Sequence, residues 1–100
     1  MEALILVNTE AGHLWQVLEA VLRIEGVKKV YGVTGRFDAV VLAQFSDLDN
    51  MGKIIGKIHH VKGILRTQTL MVIPAPSGTS NVIPTLAEEE KTGPNGYPDK

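Results

Sequence analysis

The chain contains no cysteine, so disulfides, thiolate metal sites and cysteine nucleophiles are excluded. Aromatics are scarce, with one Trp, two Tyr and two Phe, so a core must be built from Leu, Ile and Val. Positive charge is not in surplus either. Ten Lys and Arg against eleven Asp and Glu leave a formal net charge of −1. Binding a polyanion needs Lys and Arg in excess on one face, so direct nucleic-acid binding is not expected. No apolar run approaches the ~20 residues of a membrane span. Met1-Glu2-Ala3 lacks the basic start of a signal peptide, and cytoplasmic residence is the expectation. Proline is absent before Pro74.

What is present is enough for one small domain. Without staples, its stability must come from packing or association. The composition changes at Pro74. From there to Lys100 the chain carries all five prolines, much Ser and Gly, and the acidic run Glu88-Glu89-Glu90. Such a segment buries too little apolar surface to offset its ordering entropy. The expected division is a folded domain over 1–73 and a flexible tail over 74–100. Within the tail, Thr85 to Lys91 has the make-up of two helical turns with Thr85 as N-cap. Val82, Ile83 and Leu86 could dock on a neighbour.

Residues 1–73 read as strand, helix, strand, strand, helix, strand. Leu4 to Val7 is a short apolar strand. Leu14, Val17, Leu18, Val21 and Leu22 fall on one helical face, and Gly26 suits the C′ position after it. Val27 to Thr34 is the second strand. Gly35-Arg36 is a tight turn, and Phe37 to Phe45 is the third strand. Ser46-Asp47-Leu48-Asp49 resembles a helix start. Leu48, Met51, Ile55 and Ile58 continue that helix, and Ile64 to Ile73 is the fourth strand.

The halves superpose at an offset of about 37 residues. Ile5 maps to Leu42, Leu14 to Met51, Leu18 to Ile55, Val21 to Ile58, and Gly26-Val27 to Gly63-Ile64. Two tandem strand–helix–strand units leave few topologies. The expected fold is α+β, the ferredoxin-like βαββαβ. It is a four-stranded antiparallel sheet with strands 1 and 3 central and both helices on one face. The other face would be bare in a monomer. Ala39, Val41 and Ala43 occupy one side of strand 3, and Val40 and Leu42 the other. A large apolar patch of that kind implies a sheet-to-sheet dimer.

Val33-Thr34-Gly35-Arg36-Phe37-Asp38 is the most informative segment. Gly35 permits sharp turning. Exposed backbone N–H groups in such a turn can hold a carboxylate, and Asp38 can accept from an ammonium group. The plain alternative is a hairpin turn whose Asp38 ties down the backbone. In Arg66-Thr67-Gln68-Thr69, Thr67 and Thr69 share a strand face and offer two hydroxyls, although Thr is also simply favoured in strands. His13, His59 and His60 lack metal-ligand spacing, and His59-His60 suit a helix end. Trp15 reads as a packing residue. Glu19, Arg23 and Lys57 read as solvated faces. Nothing calls for a catalytic residue, a metal or a cofactor.

Other functions on this fold fit less well. An RNA-binding sheet needs paired exposed aromatics, and Phe45 stands alone. A metallochaperone would need cysteines. An acylphosphatase would need an arginine in the Asn8 to Gly12 loop, which has none. A dimeric α+β-barrel oxygenase would need polar groups in the sheet-side cavity, for which Asn8, Tyr31 and Gln44 are the candidates.

Residues 2–73 resemble the effector-binding (RAM) domain of the Lrp/AsnC family of prokaryotic regulators. The resemblance rests on the Gly-Val and Gly-Ile entries to strands and on the Gly-Arg-Phe-Asp loop. It rests also on the apolar run Ala39 to Ala43 and on the alternating Thr of Arg66-Thr67-Gln68-Thr69-Leu70. It implies dimers joined through their sheets, assembly to octamers, and an amino acid or related metabolite bound between dimers. The residues matching the family's site are Thr34, Gly35, Arg36, Phe37, Asp38, Thr67 and Thr69. Family regulators carry an N-terminal helix-turn-helix, whereas this sequence starts at strand 1. DNA binding by that route is therefore not expected, and co-assembly with full-length Lrp/AsnC regulators is. The tail after Ile73 departs from the family pattern. The expected function is a stand-alone effector-binding and oligomerisation module acting on amino-acid-responsive transcription, not an enzyme. The alternatives are the small oxygenase-type enzyme and an ACT-like regulatory subunit.

Overall fold

Six elements follow in the predicted order: β1 (Glu2–Thr9), α1 (Leu14–Leu22), β2 (Val27–Gly32), β3 (Ala39–Gln44), α2 (Leu48–His59) and β4 (Ile64–Ile73). A two-residue strand, β5 (Thr85–Leu86), comes after them. The computed structural model describes residues 1–76 and β5. Thr85 therefore starts no helix at its own position. Residues 77–84 and 87–100, with Val82, Ile83 and the acidic run, lie outside the described residues.

Two compact units divide the chain, Met1–Thr69 and Leu70–Lys100. In the second, Val72 and Ile73 pair antiparallel with Leu86 and Thr85. In the first, β2, β3, β1 and the Ile64–Thr69 part of β4 follow one another across the sheet in that order, the ferredoxin-like antiparallel arrangement with β1 and β3 central.

Strand alternation decides where the core lies. Ala3, Ile5, Val7 and Thr9 of β1 and Ala39, Val41 and Ala43 of β3 are buried, while the residues between them are only partly covered. Register places Leu4 opposite Leu42 and Leu6 opposite Val40 on the open face. On β2, one residue is bulged between Val27 and Lys29. A bulge reverses the facing of everything after it. Val27 thereby stays buried opposite Ala43, while Lys29 and Tyr31 join the open face opposite Leu42 and Val40.

Each helix buries a narrow stripe: Val17, Leu18 and Val21 on α1, Ile54 and Ile58 on α2. The α2 stripe differs from the predicted one. Leu48 is exposed, and Met51 and Ile55 are only partly covered. Asp47 is the N-cap, its carboxylate accepting the Asn50 N–H at 2.8 Å, which is worth about 1 kcal/mol. Asp49 in the first turn and Lys57 and His59 in the last suit the helix dipole. Trp15 does not pack as a core residue. Its side chain is 68% exposed, because it lies one position off the buried stripe.

The internal repeat is real, with a change of register. Gly26 and Gly63 both have φ of +100°. A Cβ on Gly26 would meet the Ile54 side chain at 2.6 Å, and one on Gly63 would meet Val17 at 2.7 Å. Each half's glycine thus sits against the matching residue of the other half's helix. The Gly26 carbonyl accepts from Gln44 N–H and the Gly63 carbonyl from Glu10 N–H, both at 2.8 Å. The strands do not keep the same offset: Ile5 is buried while Leu42 faces the open side, so those two are not equivalent. An odd offset is incompatible with a period of two. Gly26 is also not at C′. α1 ends at Leu22, and turn bonds from Arg23 to Ala20 and from Ile24 to Val21 follow before Gly26.

Candidate functional site

The β2–β3 connection, residues 33–38, is closed by the Val33 N–H donating to the Asp38 carbonyl at 2.9 Å. Gly35 holds φ of +111°, and a Cβ there would meet nothing within 4 Å. Its requirement is therefore conformational, not steric. Asp38 anchors the loop to β1. Its N–H donates to the Val7 carbonyl at 2.9 Å, and its carboxylate accepts the Thr9 N–H at 2.8 Å. Because Thr9 is buried, losing that acceptor would strand its N–H. Asp38→Ala should lower unfolding free energy by about 1–3 kcal/mol. Asp38→Asn, which keeps an acceptor oxygen, should recover most of it in urea titrations.

Asn8 joins the loop to β4. Its Nδ2 donates to the Arg36 carbonyl at 2.9 Å, and its Oδ1 accepts from Arg66 Nε and Nη2, both at 3.3 Å. This network brings Arg36, Phe37, Arg66, Thr67 and Gln68 around one pocket of about 250 Å³. Behind it, His59 Nε2 and Thr67 Oγ1 share a hydrogen bond of 2.7 Å. His59, Ile64, Leu65, Arg66 and Thr67 line an adjoining pocket of similar size. His60 turns the other way, its Nδ1 lying 2.8 Å from the Gly56 carbonyl.

The predicted residues are thus divided. Arg36, Phe37 and Thr67 meet at the pocket between the loop and β4. Thr34 lies elsewhere, with Leu14, Trp15, Gly32 and Val33 around a shallower hollow. There Gly32 lets the Trp15 ring approach: a Cβ would sit 2.9 Å from it. Gly35 shapes the loop, Asp38 pins it, and Thr69 does not line the pocket. Asn8, Arg66 and Gln68 enter through strand order, since Asn8 and Arg66 are 58 residues apart in sequence. The one local signal for two of them is that Arg66 and Gln68 flank Thr67.

Two other groupings bear on function. A wide depression of about 740 Å³ lies among Glu2, Glu25, Lys28, Gln44, Lys53 and Lys57. It mixes both signs of charge and contains none of the predicted site residues. Asn8, Tyr31 and Gln44 do not converge: Asn8 is taken up by Arg36 and Arg66, and Gln44 Nε2 donates to Glu2 at 3.1 Å. Tyr31 pairs with Val40, four positions along β3 from Gln44, or about 13 Å. Among the described residues no three His, Asp or Glu side chains gather to hold a metal ion, and no helix is long and apolar enough to cross a membrane.

The sequence matches the Lrp/AsnC ligand binding domain over residues 2–82. It is 29% identical over 70 residues to the HTH-type transcriptional regulator PF0054 of Pyrococcus furiosus, covering 68% of this chain and 45% of that protein. The chain spans about half the length of the curated relatives it matches, which are all HTH-type transcriptional regulators. The crystal structure of TTHA0845 from Thermus thermophilus superposes with a TM-score of 0.70 at 28% identity, covering 75% of this chain and 95% of that one. The transcriptional regulator NMB0573 of Neisseria meningitidis, in complex with L-Met, shares the fold. Its TM-score is 0.67 at 19% identity, covering 81% of this chain and 55% of that one.

Proposed function

The chain belongs to the Lrp/AsnC ligand-binding-domain family, and from that premise we propose that it is an effector-binding and oligomerisation module rather than an enzyme. Its ligand is an amino acid or a closely related metabolite, held where the β2–β3 loop meets β4. One observation carries this reading. The loop and β4, far apart in sequence, converge on a polar pocket whose shape is set by the Asn8 network. Pockets for drug-sized ligands run to roughly 300–1,000 Å³, so about 250 Å³ suits a ligand of amino-acid size. The Neisseria regulator's complex with L-Met supports the ligand class on the same fold.

The open sheet face supports association. Leu4, Leu6, Val40 and Leu42 form an apolar quartet flanked by Tyr31, which is 48% exposed. A homodimer joined through these faces, assembling to octamers, covers it. Kinship with HTH-type regulators supports a role in transcription, exercised in the cytoplasm through full-length Lrp/AsnC partners. A ligand held between assembled subunits stabilises the assembly by mass action.

The test is a thermal melt of the chain in each of the twenty amino acids. A ligand at 100 times its Kd adds about 2.7 kcal/mol of stability. One or a few amino acids should raise Tm by several degrees, and the shift should shrink in Phe37→Ala. Twenty indistinguishable melts would refute the amino-acid reading.

A further inference from the structure

The pocket between the β2–β3 loop and β4 is lined by two guanidinium-bearing residues, Arg36 and Arg66, and by no carboxylate. Among the described residues, neither arginine is ion-paired. Asp38, the acid nearest in sequence, is spent on the Thr9 N–H and does not line the pocket. Resting on the proposal that this is the effector site, we infer that its ligand is a small dicarboxylate, with or without an α-ammonium group.

The arrangement of Arg66 carries the inference. A guanidinium has five N–H donors in a planar fork. Asn8 Oδ1 engages the side edge, through Nε and Nη2. The end edge, made by Nη1 and Nη2, remains for a second partner, and its two parallel donors match a carboxylate. Asn8 is itself fixed by its bond to the Arg36 carbonyl, so the guanidinium is held before any ligand arrives. Such preorganisation reduces the ordering cost of binding. Arg36, also in the lining, supplies a second cation, Phe37 an apolar surface for the carbons between two carboxylates, and Gln68 a neutral amide. A ligand with a cationic side chain would meet two like charges and no acid. A neutral amino acid would satisfy one guanidinium only.

The test is calorimetric titration of the full chain, at low salt, with L-glutamate, L-aspartate, succinate, L-leucine and L-lysine. The wild type should bind an acidic ligand roughly ten-fold or more tightly than leucine or lysine. Arg66→Gln should lose that advantage with an unchanged melting curve, as suits an exposed side chain. Arg36→Gln is the second variant and should weaken the same ligands. Succinate separates the sources: binding equal to glutamate's upholds the dicarboxylate class and removes the need for an amino acid. If leucine or lysine binds as tightly as glutamate, the dicarboxylate inference is overturned while amino-acid binding stands. If none of the five binds, the inference is overturned, and the twenty-amino-acid melt decides the broader reading separately.

Discussion

Replacing Gly63 by alanine should lower the unfolding free energy by about 3 kcal/mol or more. Two effects add. At φ of +100° a side chain is strained, at a cost of order 1–3 kcal/mol. The new Cβ would also lie 2.7 Å from Val17 Cγ2. Val17 is buried and β-branched, and in a helix such a residue has essentially one rotamer. It cannot swing aside, so the helix must shift, and overpacking of this kind costs about 1–3 kcal/mol. Gly12→Ala is the control. Gly12 has φ of +81° but nothing within 4 Å of a built Cβ. It should show the conformational cost alone, about 1 kcal/mol. Urea unfolding of the two variants separates the terms, and equal losses would show that Val17 yields.

The second large effect is expected at Ile58. Its side chain is fully buried on the last turn of α2. Ile58→Ala removes buried methyl and methylene groups and leaves a space that neighbours fill only in part, costing about 2–5 kcal/mol. Small domains have only about 5–15 kcal/mol in total, so this variant should be partly unfolded at 37 °C. Ile55→Ala, at the neighbouring half-covered position, should cost clearly less. Near-equal losses by circular dichroism would mean that the stripe follows Leu48, Met51 and Ile55 after all.

These positions also mark how far the sequence can be read. Val17, Leu18 and Val21 of the α1 stripe, a helix cap at Ser46 or Asp47 and the positive φ of Gly26 are legible, because spacing and backbone preference are local properties, whereas Leu22, expected on the same stripe, is exposed. On α2 the expected Ile58 is buried, but Ile54 and not Ile55 accompanies it, since the two are adjacent and only packing against Gly26 selects between them. The Ile5–Leu42 equivalence failed because strand facing depends on parity, which a helix-based offset does not preserve. The β2 bulge left no trace in the pattern Val27-Lys28-Lys29-Val30-Tyr31.

The candidate site was half legible. Gly35 can be recognised from its turn, whereas Arg36, Phe37 and Thr67, which line the pocket, are suggested only by the family resemblance. The role of Asn8 was not visible, because it exists only once β1 lies between the loop and β4. Asp38 reads from sequence either as an ammonium acceptor or as a residue that ties down backbone, and spacing alone does not name the backbone group. Its actual partner is a backbone N–H supplied by another strand.

Light scattering of the purified chain, with and without a mixture of the twenty amino acids, tests the central claim most directly. The expected result is the mass of a dimer or a larger assembly that shifts or tightens in the mixture, with an effect traceable to one class of amino acid. A stable monomer indifferent to every amino acid would contradict both the covered sheet face and the effector site.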